Sequence, residues 1–171
     1  KQAISVLTNV LQDTKQEPMV RHEAAEALGA IGSPEVLDLL KKYKEDQVIE
    51  VAETCELALE RIQWINDSEQ NKNLSQNPYH SVDPAPPSDT TNVQELKDVL
   101  LDEKATLFQR YRAMFSLRNL RTKEAVEALC VALRYGSALF RHEIAFVLGQ
   151  LQDEASVPYL KVSLEDSNEN E

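Results

Sequence analysis

The sequence predicts an all-α protein, an α-solenoid of antiparallel helix pairs in two halves joined by a Pro-rich linker. Three observations predict it. Only 4 of the 171 residues are Gly, and Leu, Ala, Glu and Lys dominate, residues that enter helices at little cost. Apolar residues recur at helical rather than alternating spacing. Finally, Val20-Arg21-His22-Glu23-Ala24-Ala25-Glu26-Ala27-Leu28-Gly29 returns 120 residues later as Phe140-Arg141-His142-Glu143-Ile144-Ala145-Phe146-Val147-Leu148-Gly149. At the same offset Leu40 matches Leu160 and Asp46 matches Asp166. A shorter offset of 31 relates Leu28 to Leu59, Ala27 to Ala58, Arg110 to Arg141 and Leu117 to Leu148. Two helices per unit of about this length describe stacked pairs, each burying its apolar stripe against its neighbours.

The first half, residues 1–65, reads as four helices. The first covers about 2–12, with Ile4, Leu7 and Leu11 on one stripe. The second covers 18–31, opened by Pro18 and closed by Gly32, a Pro-first, Gly-last arrangement that suits helix ends. Ser33-Pro34-Glu35 reads as the cap of a third over 34–45. The fourth, 48–65, carries Val51, Cys55, Leu59 and Ile62 at helical spacing. Ala24, Ala25, Ala27, Gly29 and Ala30 are small enough for neighbouring helices to approach closely.

Residues 66–91 are polar and rich in Pro, so they read as a flexible linker. Tyr79 and Val82 are its candidate anchors to a neighbouring surface. The second half, 92–171, starts with Asn92 as a cap, followed by helices near 93–102, 107–120, 123–134, 138–151 and 155–165.

The net charge of −11 argues against a nucleic-acid partner. It suits solubility, or attraction of a cationic ligand. No apolar run reaches the length of a membrane span, and no secretory signal is visible. Lys1 to Leu11 already reads as mid-helix, so the chain is expected to be a piece of a longer protein. Cys55 and Cys130 lie within apolar helical patterns and are expected as core thiols in a reducing, cytoplasmic setting.

Two of the three histidines, His22 and His142, hold the same place in two repeat units, each after Arg and before Glu. In the other units those positions are Glu53-Thr54 and Tyr111-Arg112. Repeat packing therefore does not require His-Glu. Imidazole and carboxylate together suit iron, manganese or zinc. His22, Glu23, His142 and Glu143 suffice for one mononuclear site but are too few for the about six ligands of a dinuclear one. The competing reading is a pair of capped or solvent-facing helix-start residues, with Glu favoured there by the helix dipole. His80 lies in the linker and reads as exposed, while Trp64 and the tyrosines read as packing residues. No Gly-rich phosphate loop, Cys-x-x-Cys pair or nucleophile elbow is present.

The segment Pro18-Met19-Val20-Arg21-His22-Glu23-Ala24-Ala25-Glu26-Ala27-Leu28-Gly29-Ala30-Ile31-Gly32 resembles a metal-binding repeat of the deoxyhypusine hydroxylase family. Pro78-Tyr79-His80-Ser81-Val82-Asp83-Pro84-Ala85-Pro86-Pro87 is similar to that family's linker between lobes. Phe108 to Arg118 and Gly136 to Glu143 extend the resemblance over essentially the whole chain. The resemblance implies a HEAT-like α-solenoid that binds two irons. It further implies a cytoplasmic monooxygenase that uses O2 to hydroxylate the deoxyhypusine side chain of a translation initiation factor, giving hypusine. Four His-Glu motifs are implied, two per half. His22 and Glu23 match the second and would ligate one iron; His142 matches the third and would ligate the other. Glu143 matches a position that ligates metal or holds the amine-rich substrate. The first and fourth motifs are missing here, so each iron would lack a histidine. A metal-free HEAT-like protein-binding scaffold and a mononuclear zinc hydrolase are the alternatives.

Overall fold

Helix ends in this chain are set by local chemistry. The structure, a computed structural model, describes residues 2–67 and 74–169. Residues 1, 68–73, 170 and 171 lie outside the described part, and with them a stretch of the expected linker. Among the described residues the regular elements are all helical: α1 (Gln2–Gln12), α2 (Pro18–Ile31), α3 (Leu37–Tyr43), α4 (Ile49–Asn66), α5 (Val93–Leu101), α6 (Leu107–Leu120), α7 (Lys123–Ala132), α8 (Ala138–Leu151) and α9 (Val157–Glu165). The all-α solenoid expectation holds.

Pro18 opens α2, where its missing N–H loses nothing. The Asn92 side chain accepts from the Gln94 and Glu95 amides at the start of α5. Thr106 and Gln109 cap each other at α6, and Thr122 and Ser137 cap α7 and α8. Ser33 departs from expectation, since its side chain makes no capping bond. The expected helices at 34–45 and 155–165 instead begin as short 3-10 turns, Pro34–Val36 and Glu154–Ser156. These tight turns bury Val36 and Ser156 before α3 and α9 begin.

The chain divides into two compact units. In the first, α1 packs on α2, α2 on α4, and α3 on α4. Its core holds Leu11, Leu28, Leu40, Val51, Cys55 and Ile62, all fully buried. Each large aliphatic among them contributes about 1.5–3 kcal/mol relative to exposure. In the second unit α5 packs on α6 and α7, α6 on α8, and α7 on α8. Within this unit α5 and α7 thus lie side by side, as do α6 and α8. Tyr111, Phe115 and Phe140 meet in its core, with the Arg110 guanidinium 4.0 Å from the centre of the Phe140 ring. One arginine device recurs in both units. Arg21 Nε donates to the Leu11 carbonyl at 3.0 Å, and Arg110 Nε to the Leu100 carbonyl at 3.0 Å. Each ties an even helix to the end of the helix before it.

The described part of the expected linker, 74–91, is bonded to the helices along its length. Val82–Ala85 belongs with the first unit, where Ala85 is fully buried and the Asp83 carbonyl accepts from Arg61 Nε at 3.0 Å. Pro87 belongs with the second unit; its carbonyl accepts from Arg112 Nη2 at 3.0 Å, and the Ser88 amide donates to Ser116 Oγ at 2.7 Å. Tyr79 is an anchor as expected, its ring 4.9 Å from the Arg118 guanidinium. Val82 is 60% exposed and pins nothing. The backbone carbonyls and one small buried residue do that work instead of a large apolar side chain.

Candidate metal-binding doublets

The first doublet lies on α2. Because Pro18 is the first helical residue, His22 falls in the second turn, away from the capping positions. Its neighbour Arg21 sets the rotation of the helix. Beyond the Leu11 carbonyl, Arg21 holds both oxygens of Asp46, at 3.3 Å from Nη1 and 2.5 Å from Nη2. Asp46 Oδ1 also accepts from the Val48 amide at 2.9 Å, just before α4. The hydrogen-bonded guanidinium holds the Asp46 carboxyl below the usual carboxylate range. One buried side chain thus ties α1, α2 and the α3–α4 connection together, and His22 is carried into the fold with only 6% exposure. The solvent-facing reading fails for His22.

His22 Nδ1 lies 2.6 Å from Thr54 Oγ1 on α4. Thr54 Oγ1 in turn donates to the Glu50 carbonyl at 2.7 Å. A hydroxyl has one proton, and Thr54 spends it on Glu50. The proton in the His22–Thr54 bond must therefore come from Nδ1. In the neutral ring the lone pair then sits on Nε2. That atom lies 3.9 Å from Glu23 Oε1 and 3.9 Å from Glu26 Oε2. Burial, with Glu23 and Asp83 nearby, raises the Glu26 carboxyl above its usual range. A concentration of negative charge thus faces an imidazole lone pair.

The second doublet lies on α8 in the other unit, and its surroundings differ. His142 is exposed and Glu143 half-buried. His142 lines a groove with Leu133, Ala138, Ala145, Leu160 and Leu164. Arg141 holds Glu169 through Nε and Nη2, at 2.8 Å and 2.7 Å, and donates to the Gly136 carbonyl at 2.7 Å. Asp166, which matches Asp46 in the repeat, is not its hydrogen-bond partner. Phe146 stands where Glu26 would be and is 55% exposed. Among the described residues none makes with His142 a bond like that of Thr54 with His22.

Among the described residues no group of three His, Cys, Asp or Glu side chains is placed to hold a metal ion. The donors fit iron in kind: an imidazole lone pair and a carboxylate in each doublet. They do not make a full coordination set within either unit. Two residues near His22 escaped the sequence reading. Glu26 was signalled by its i,i+4 spacing from His22. Thr54 sits in the aligned pair Glu53-Thr54, which in the sequence shows only that repeat packing does not require His-Glu.

Residues 1–60 match the family described as HEAT repeats, and residues 109–135 and 140–166 match the PBS lyase HEAT-like repeat. The chain is 63% identical over 170 residues to deoxyhypusine hydroxylase of Danio rerio, covering 98% of this chain and 56% of that protein. It is 58% identical over 168 residues to the Homo sapiens protein of the same name, covering 98% of this chain and 55% of that one. The solved structure of human deoxyhypusine hydroxylase in complex with glycerol superposes with a TM-score of 0.93 at 57% identity, covering 99% of this chain and 58% of that chain. The chain therefore spans a little over half the length of the relatives it matches. In sequence, in repeat type and in backbone, the chain belongs to the deoxyhypusine hydroxylase family.

Proposed function

We propose that this chain is the central part of an iron-dependent cytoplasmic monooxygenase that hydroxylates the deoxyhypusine side chain of a translation initiation factor to hypusine. In this reading His22 and Glu23 ligate one iron, and His142 the other. Glu143 ligates that second iron or holds the substrate ammonium. When bound, iron activates O2 so that one oxygen atom enters a C–H bond and the other leaves as water, with two electrons and two protons drawn from a reductant.

The chain's own residues supply placement and charge. Arg21 and its Asp46 partner hold α2 in position. Glu23 and Glu26 crowd the face of His22 that carries the lone pair. The net charge of −11 favours approach of a cationic, polyamine-like side chain. The observation that carries the reading is the buried His22 ring, with Nδ1 committed to Thr54 and Nε2 beside carboxylates. Metal-ligating imidazoles are oriented in this way by their second nitrogen.

Elemental analysis of the full-length protein tests it. His22→Ala and His142→Ala should each lower iron content and hydroxylation of the deoxyhypusine protein, with helical circular dichroism unchanged. Unchanged iron in both variants would overturn the ligand assignment and leave the metal-free scaffold reading. Glu143→Gln separates the two roles of Glu143: lost iron marks a ligand, whereas retained iron with a raised KM marks a substrate contact.

A further inference from the structure

We infer that Thr54 is a positioning residue for the metal, fixing the tautomer of His22 from a neighbouring helix. The inference rests on the proposed ligation by His22 and adds the group that sets where that ligand keeps its proton.

The chain of bonds has a direction. The Glu50 carbonyl accepts from Thr54 Oγ1 at 2.7 Å, and Thr54 Oγ1 accepts from His22 Nδ1 at 2.6 Å. Glu50 lies four residues before Thr54 on α4, so the back-bond to its carbonyl selects a side-chain rotamer that threonine adopts readily in a helix. That rotamer leaves an oxygen lone pair facing α2. Thr54 is 3% exposed and His22 is 6% exposed, so water competes poorly for either atom. Losing the hydroxyl would remove the oxygen that holds the proton on Nδ1, which favours moving the proton to Nε2 or turning the ring. Either change removes the lone pair from the side where Glu23 and Glu26 stand. Arg21, adjacent on α2, holds the backbone in place throughout, so the effect of Thr54 is confined to the ring.

The test uses the full-length protein with Thr54→Val, Thr54→Ala, Thr54→Ser and His22→Ala. In the metal-free state, imidazole 15N shifts report the tautomer, and the His22→Ala spectrum identifies the His22 signals. The wild type and Thr54→Ser should show protonated Nδ1 at His22. Thr54→Val and Thr54→Ala should shift toward protonated Nε2. By chelator competition, the two hydroxyl-free variants should bind iron about 10–100-fold more weakly, and Thr54→Ser should bind near the wild-type level. A hydroxyl-free variant that folds, keeps protonated Nδ1 and binds iron normally would overturn the inference. If His22→Ala itself keeps its iron, the ligation reading falls, and the tautomer measurement still decides whether Thr54 sets the ring.

Discussion

Gly29 of α2 and Ala58 of α4 pack so closely that a Cβ on Gly29 would lie 2.8 Å from the Ala58 Cβ and 3.0 Å from its Cα. The repeat-equivalent Gly149 has nothing within 4 Å. The same substitution should therefore act with opposite sign at the two positions. Gly29→Ala should destabilise this chain by about 1–3 kcal/mol, because overpacking pushes the helices apart. Gly149→Ala should stabilise it by about 0.5–1 kcal/mol through helix propensity. Urea unfolding measures both, and effects of the same sign would contradict the close approach at Gly29.

Three repeat-equivalent helix ends adopt the left-handed conformation. Gly32 closes α2 at φ 73°, Arg121 closes α6 at φ 56° and Gln152 closes α8 at φ 53°. Each cap amide donates to the carbonyl of a leucine four residues earlier. Only Gly32 avoids the steric cost of a side chain there. Arg121→Gly and Gln152→Gly should each raise stability by about 0.5–1 kcal/mol, and Gly32→Ala should lower it by about 1 kcal/mol. Thermal unfolding of the three variants checks the set.

The Arg21–Asp46 pair makes a pH-dependent contribution. Its side chains are 3% and 10% exposed, and leaving Arg21 without its partner through Asp46→Asn should cost about 3 kcal/mol at neutral pH. Because the Asp46 carboxyl is held below its usual range, this stability is present above that range. It is lost as pH falls through the lowered folded value.

Glu26 has the opposite sign. Its carboxyl is raised by burial first, then by Glu23 and Asp83, so the ionised form destabilises the metal-free fold at neutral pH. That penalty is relieved as pH falls through the raised value. Glu26→Gln should therefore stabilise the metal-free protein at pH 7, and the gain should vanish in acid. Denaturation midpoints measured across pH 3–8 separate the two residues, and a Glu26→Gln gain that persists in acid would contradict the burial of this charge.

Cys55 and Cys130 are both unpaired thiols buried in the core. Burial pushes Cys55 up to about 12 and Cys130 up to about 11, leaving little of the reactive thiolate at pH 8. A disulfide-exchange reagent should leave both untouched in the folded protein and titrate both in denaturant. Fast native reaction of Cys55 would contradict its place in the core.

The helices were legible because their signals are local. Pro18, Gly32, Asn92 and the apolar stripes mark ends and faces within a few residues of themselves. The Arg-His-Glu doublets were legible for the same reason, as short words repeated at a fixed offset. The bonded linker was not legible, because its anchors are backbone carbonyls and amides that every residue possesses; Arg61 and Arg112 choose among them only once the helices are stacked.

Which of the two doublets is enclosed was not legible in the sequence. His22 and His142 share their flanking residues, yet one is enclosed and the other exposed. Burial and proton placement depend on a neighbour across space: His22 meets Thr54 from 32 residues away, and among the described residues none meets His142 in that way. Local chemistry wrote the helices, their caps and the two motifs. Packing between helices assigned each motif its environment, since a side chain's solvent and its hydrogen-bond partner belong to the assembled stack rather than to the residues beside it.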